Sequence, residues 1–325
     1  MDLVCLGELL IDLFPAEIGR RLVEVSAFHP KPGGAPGNVA VAARRLGLAS
    51  AFIGKVGDDA FGRFLIDTLA AEGVETRGIR LDDEARTTLA FIALPDPHHA
   101  EFVFYRNPGA DTRLRPDELD EVLLRQARAL HVGSLSLVAE PSRAATLRAV
   151  AIARAAGALV SFDVNYRPSL WPSPESAIRA IGDVLPLAHV VKVNEDELRL
   201  LTGTDDPNAG GAALLAAGPA LVVVTLGARG SAYRSATAAG FVPAFAVPTV
   251  DAIGCGDAFM AGVLAGLLGG AGRGAWPARL DNDTLPLILR YANAVGALTA
   301  TRPGALPALP TAAEVKAFLG VMSDE

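Results

Sequence analysis

The chain of 325 residues is 51% hydrophobic and 20% charged, with a formal net charge of −7. That length holds one large domain or two small ones with a sizeable core. The acidic balance and the lack of a Lys/Arg-rich run argue against nucleic acid as the main partner, since phosphate backbones are held by clustered cations. The two cysteines, Cys5 and Cys255, give no disulfide framework, and a reducing cytoplasm is expected.

In chain order, LVCLG (3–7) is expected to be a strand. Glu8 and Asp12 break the apolar run that follows, and no basic segment comes before it, so no secretory leader is expected. The stretch 9–30 lacks helix period. GNVAVAARRLG (37–47) has helix period and stops at Gly47, and AFIGKVG (51–57) is strand-like. DDAFGRFLIDTLAAEG (58–73) is a helix with an Asp start and a Gly stop. TTLAFIALP (87–95) and EFVFYR (101–106), joined by a turn with Pro95, Asp96 and Pro97, form an antiparallel hairpin.

ALHVGSLSL (129–137) precedes a helix over 141–157. A strand at 159–165, a helix around 175–188, a strand at 189–194, a helix at 195–203 and a strand at 220–227 continue the rhythm. AFMAGVLAGLLGGAG is 15 uncharged residues. A membrane span takes about 20, so a buried helix is expected and no membrane partner. The Gly-, Ala- and Arg-rich stretch 269–283 is expected to be an exposed loop. Val-rich strands alternating with helices indicate an α/β fold with a mainly parallel sheet covered on both faces. The hairpin and the 9–30 stretch would form a small sheet projecting as a lid. No internal repeat or linker is present.

Familiar phosphate and metal motifs are missing. Gly54-Lys55-Val56 lacks the spacing and the Ser/Thr of a Walker loop. CLGELLID carries no dinucleotide fingerprint. His98 and His99 are adjacent but belong to the hairpin turn, which reads as solvated. Three segments stand out instead. In DAIGCGDAF (251–259), Gly254 and Gly256 flank a small residue, and Asp257 stands at a helix start, where unpaired N–H groups favour an anion. Asp257 there suits either a helix cap or a base that takes a proton from a hydroxyl. In KPGGAPGNVAVAARRLG (31–47), Gly33, Gly34 and Gly37 allow close approach, and Asn38 offers donor and acceptor to a sugar hydroxyl or caps the helix. Asp12 follows the first strand at the sheet edge where ligands collect in open α/β folds.

Together these segments resemble the ribokinase-like (PfkB) carbohydrate kinase family. GGAPGNVA (33–40) is similar to its N-terminal signature and DAIGCGDAF to its C-terminal one. FVFYRNPGAD (102–111), FDVNYRPSLW (162–171) and YANAVGALTATRPGALPALPT (291–311) resemble the fructokinase branch. The resemblance implies a three-layer α/β/α sandwich with a small β-sheet lid. Residues 1–325 would be one kinase domain, with lid segments at about 12–30 and 86–108 inserted in it.

It also implies roles. Asp257 would be the catalytic base, with Gly254, Cys255 and Gly256 forming an anion hole. Asp12, Gly33, Gly34, Asn38, Tyr105 and Arg167 would meet the sugar. Asn194, Thr225, Gly227, Gly230 and Asn293 would meet ATP. Asn194 and Glu197 would organise magnesium through water, and Asp251 resembles a position near the family's potassium site. The implied activity is ATP-dependent phosphorylation of fructose at its 6-hydroxyl. The alternatives are ribose, 2-keto-3-deoxygluconate or aminoimidazole riboside as substrate, or a catalytically silent regulatory member. A homodimer through the lid sheets is compatible with the apolar residues of 87–106. The family often has Thr where Ala252 stands and Ala where Cys255 stands. Cys255 would be a reactive thiol, since a helix start favours thiolate.

Overall fold

The computed structural model describes residues 1–96, 99–270 and 272–321. Pro97 and His98 of the expected hairpin turn lie outside the described residues. The strands in chain order are β1 (Leu3–Leu6), β2 (Leu10–Pro15), β3 (Phe28–Gly33), β4 (Ser50–Gly57), β5 (Glu75–Asp82), β6 (Leu89–Asp96) and β7 (His99–Tyr105). They continue with β8 (Ala129–Gly133), β9 (Leu159–Asp163), β10 (Val190–Asn194), β11 (Leu221–Thr225), β12 (Gly230–Ser235) and β13 (Ala239–Pro243).

Nine of them form one sheet in the order β13-β12-β11-β10-β9-β8-β1-β4-β5. From β5 to β11 every neighbour pair is parallel, and β12 and β13 close one edge antiparallel. Side chains alternate between two cores. Leu3 and Cys5 face one, packed under helices Ala35–Arg45, Cys255–Leu268 and Leu285–Ala300. Val4 and Leu6 face the other, packed under helices Ser142–Ala155 and Pro174–Val184. Burial on both faces is why these strands read as continuous apolar runs. This is the expected three-layer α/β/α sandwich.

The remaining strands form a small sheet in the order β3-β2-β6-β7. β2 runs antiparallel to β3 and parallel to β6, and β6 and β7 make the expected hairpin. The pairing of 9–30 with the hairpin is therefore as anticipated.

Local signals fix the helix ends. Asp59 accepts from the Gly62 N–H at 2.8 Å to open helix Ala60–Ala71, and Gly73 closes it with φ +78°. The run 129–137 is a strand to Gly133, after which Ser134–Leu137 turns into a short 3-10 helix that takes the chain off the sheet. The described residues of 269–283 are mostly exposed, as expected, with Trp276 and Leu280 buried among them. Trp276 is buried 5.1 Å from the His189 ring, and Arg273 donates to the carbonyls of Ala156 and Arg125. Among the described residues no helix is long and apolar enough to cross a membrane.

Candidate active site

The parallel strands deliver polar residues to one edge of the main sheet. β1 leads to Glu8 and then to Asp12 in β2, β9 ends at Asp163, β10 at Asn194 and β11 at Thr225. Helix Cys255–Leu268 starts above that edge with Gly254 at its N-cap position, φ +81° and no side-chain cap. With no capping side chain, the N–H groups of Gly254 and Gly256 are left to a ligand, while that of Cys255 turns back into the preceding loop. A Cβ on Gly254 would stand 2.8 Å from the Ala305 Cβ, and one on Gly256 3.0 Å from the Lys192 Nζ. The Cys255 N–H donates to the Ala252 carbonyl at 3.3 Å.

Asp257 is not the cap. Its Oδ2 accepts from the Asn38 Nδ2 at 2.8 Å, which joins the two glycine segments directly. Burial pushes the Asp257 carboxyl up to about 6; Asp163 adds to the rise, while the Asn38 bond, Lys192 and Arg167 oppose it. The other amide atom of Asn38, Oδ1, is buried with no partner among the described residues. An orphan acceptor at that depth is an opening for a hydroxyl donor.

Asp12 completes a carboxylate pair with Asp257. Burial, reinforced by the Asp257 charge, pushes it up to about 7, and Arg167 and Lys31 counteract this. Gly33 has to lack a side chain, because a Cβ there would lie 2.0 Å from the Asp12 Oδ2. Gly34, with φ +104°, would place a Cβ 2.5 Å from the Glu8 carbonyl. Close approach, rather than turn formation alone, therefore explains this glycine pair.

Arg167 has no ion pair among the described residues. Its guanidinium lies 5.6 Å from the centre of the Phe102 ring and donates to the Tyr166 carbonyl at 3.2 Å. Its charge is felt by both Asp12 and Asp257. Tyr105 is not brought to this group. Strand alternation puts Tyr105 on the opposite face of the small sheet from Phe102, and it packs 5.1 Å from Phe91 and is largely exposed. The aromatic that faces Arg167 is Phe102.

The expected nucleotide residues lie along the β10–β13 side. Asn194 and Glu197 cap one helix reciprocally: the Asn194 Oδ1 accepts from the Glu197 N–H at 2.9 Å, and the Glu197 Oε2 from the Asn194 N–H at 2.8 Å. The Glu197 Oε1 accepts from the Tyr166 N–H at 2.7 Å, so Glu197 also fixes the loop that carries Arg167. Thr225 ends β11, and Gly227 and Gly230 turn the chain with φ +57° and +126°. Asn293 is buried and donates to the Val242 and Pro243 carbonyls, both at 3.1 Å. It holds the end of β13 beside Gly230, whose own register partner is Pro243. Asp251 accepts from the N–H groups of Ile253 and Gly304 and ties two loops together.

Cys255 departs from its expected reactivity. Burial and the charges of Asp251 and Asp257 push the thiol up to about 12, which outweighs the helix start.

Sequence reasoning missed the pair between Lys192 and Asp163, 2.9–3.0 Å apart and buried below Gly256. A single Lys within VVKVN and the Asp opening DVN were the available signals, and both looked like ordinary strand residues.

With this geometry in place, the sequence matches the pfkB family carbohydrate kinase profile over residues 1–312. The chain belongs to that family. It is 46% identical over 314 residues to fructokinase-1 of Zea mays, covering 96% of this chain and 95% of the maize protein. Among solved structures it is similar to fructokinase with bound ATP from Xylella fastidiosa, with a TM-score of 0.90, 38% identity and 99% of each chain covered. A double mutant of the Vibrio cholerae O395 fructokinase, in fructose, ADP and potassium ion bound form, gives a TM-score of 0.87 at 36% identity, with 98% of each chain covered. The two glycine segments joined by Asn38 and Asp257 are thus those of a phosphotransferase family that acts on sugar hydroxyls.

Proposed function

We propose that this family member is an ATP-dependent fructokinase that makes D-fructose 6-phosphate and ADP. The observation that carries the proposal is the Asn38–Asp257 contact at a glycine-lined helix start, beside Asp12 and Arg167. The fructokinases it resembles support the choice of sugar.

Each group has a task. Asp12 and the free Asn38 Oδ1 hold sugar hydroxyls. Asp257 takes the proton of the 6-hydroxyl as that oxygen bonds to the γ-phosphorus and the bond from phosphorus to the ADP oxygen breaks. A carboxyl lifted to about 6 is a better acceptor than an ordinary one and is still ionised at neutral pH. Backbone N–H groups at Gly254 and Gly256, together with Arg167, offset the charge on the transferring phosphoryl group; the Cys255 N–H, also expected there, is taken by the Ala252 carbonyl. Thr225, Gly227 and Gly230 line the path of ATP, with Asn293 holding β13 behind them.

Magnesium is assigned to the ATP phosphates. No described cluster of three His, Cys, Asp or Glu side chains offers a protein cage, and Asn194 and Glu197 already serve each other as caps. Their oxygens suit contact through water, as a hard ion that keeps its waters requires. When bound, the ion neutralises phosphate charge. A potassium site is assigned to the loops that Asp251 ties together. The small sheet serves as a lid within a single domain, and its exposed Val103 and Tyr105 are assigned to a homodimer contact in a cytoplasmic enzyme.

The test is a turnover panel with MgATP and fructose, ribose, 2-keto-3-deoxygluconate and aminoimidazole riboside. Fructose is expected to give the highest kcat/KM. A riboside preferred over fructose would overturn the choice of sugar, and no turnover of any compound would favour a silent member.

A further inference from the structure

Glu8 lies in the short link between β1 and β2, where the chain leaves the main sheet for the small one. It is buried, and its Oε1 accepts from the Ala35 N–H at 3.2 Å. Ala35 opens the first helix directly after Gly34, and the Glu8 carbonyl fills the space where a Gly34 side chain would go. Side chain and backbone of Glu8 thus both grip the 33–38 loop.

Arg106 leaves the small sheet at its other end, one residue after β7. It is buried, with Nε donating to the Asp111 Oδ2 at 2.8 Å and Nη2 to the Leu135 carbonyl at 2.9 Å. The other Asp111 oxygen accepts from the Oγ1 of Thr88, the residue before β6, at 2.6 Å. Both ends of the β6–β7 hairpin therefore meet at Asp111, and Arg106 fastens them to the segment after β8.

The Glu8 Oε2 and the Arg106 Nη1 are both buried, and neither has a hydrogen-bond partner among the described residues. One is an acceptor and the other a donor of opposite charge. Burial pushes the Glu8 carboxyl up to about 7; the Arg106 charge opposes this and the Asp111 charge adds to it, while Glu8 in turn favours the charged form of Arg106. Leaving a buried donor and a buried acceptor open is costly; the two make no direct hydrogen bond or ion pair, so their opposite charges offset each other across a gap.

We propose that Glu8 and Arg106 are a coupled pair of positioning residues that link the seating of the sugar on the 33–38 loop to the root of the small sheet. The proposal rests on the sugar-kinase reading above. Neither side chain touches the substrate: Glu8 acts through Ala35, and Arg106 through the two hairpin ends.

The experiment measures kcat, sugar KM and ATP KM for the full chain and for Glu8→Gln, Arg106→Lys and the double variant, with melting temperatures. Wild-type turnover of fructose is measured first, so failure of the sugar-kinase reading is seen apart from failure of the pair. Glu8→Gln keeps the shape and an acceptor for Ala35 while removing the charge. Each single variant is expected to raise sugar KM about 5- to 50-fold, a usual coupling range. ATP KM is expected to stay within about twofold, and the double variant to be no worse than the weaker single, as for one shared interaction. Multiplying effects in the double variant, or sugar and ATP KM rising together, overturn the pair. If Arg106→Lys does not fold, Glu8→Gln decides alone: an unchanged sugar KM overturns the proposal, and a rise confined to sugar supports it.

Discussion

The Asn38 Nδ2 lies 2.8 Å from the Asp257 Oδ2, which joins two motifs 219 residues apart in the chain. That bond favours the ionised form of Asp257, and burial opposes it. The balance leaves the carboxyl at about 6, so activity should fall as pH drops through that region and the base becomes protonated. Asp12, at about 7, feels the Asp257 charge, so the acid limb of kcat/KM reports both groups rather than either alone. Asn38→Ala removes a contribution that lowers the Asp257 value. The acid limb of kcat/KM should move to higher pH, and a pH profile that keeps its position would separate Asn38 from the base.

Asp12 shows a conflict between stability and function. Its folded value, about 7, lies above the ordinary 3.8, so protonation favours the folded state. The stability it contributes is full below about pH 4 and is lost as pH rises through about 7. Asp12→Asn should therefore raise the melting temperature of the ligand-free protein at pH 8 by a few degrees while weakening sugar binding. Calorimetry at pH 8 checks this, and a lower melting temperature would show that the carboxylate is stabilising there.

Gly254 carries a strained position. An alanine would have to hold φ near +81° and would meet the Ala305 Cβ at 2.8 Å. The left-handed conformation alone costs roughly 1–2 kcal/mol for a residue with a Cβ. Gly254→Ala should lower both kcat and melting temperature, because the helix start must shift. Wild-type kcat in this variant would mean that the helix start does not hold the phosphoryl group.

Cys255 should be sluggish toward thiol reagents despite its place at a helix start. With the thiol pushed up to about 12 and Cys5 fully buried, the native protein at pH 7.5 should label far more slowly than the denatured one. Rapid stoichiometric labelling of Cys255 would contradict this.

Much of the fold was legible because parallel strands buried on both faces leave uninterrupted apolar runs, as in β1, β10 and β11. β5, β12 and β13 were not legible. Each carries exposed or half-buried residues, β5 and β13 at the sheet edges and β12 next to one, and ETRGIRLD or AGFVP has no clean period. In the site, the glycine segments and Asp12 were visible because glycines and acids beside apolar runs need a local reason. Glu8, Arg106 and Lys192 were not visible. Each has a contact distant in sequence, Glu8 with Ala35, Arg106 with Leu135 and Lys192 with Asp163, so only folding brings its charge into play. Tyr105 was misplaced because the sequence shows that a residue lies in a hairpin but not which face of the sheet it takes. Phe102, three residues earlier, has the parity that meets Arg167.

The most direct measurement is the rate at which wild-type protein and Asp257→Ala convert fructose and MgATP to fructose 6-phosphate, with the product identified by NMR. The wild type should phosphorylate the 6-hydroxyl. Asp257→Ala should be slower by roughly 10²–10⁴-fold or more, the range for loss of a positioned general base, with ATP KM little changed. Equal rates for the two proteins, or phosphate on a different hydroxyl, would contradict the account.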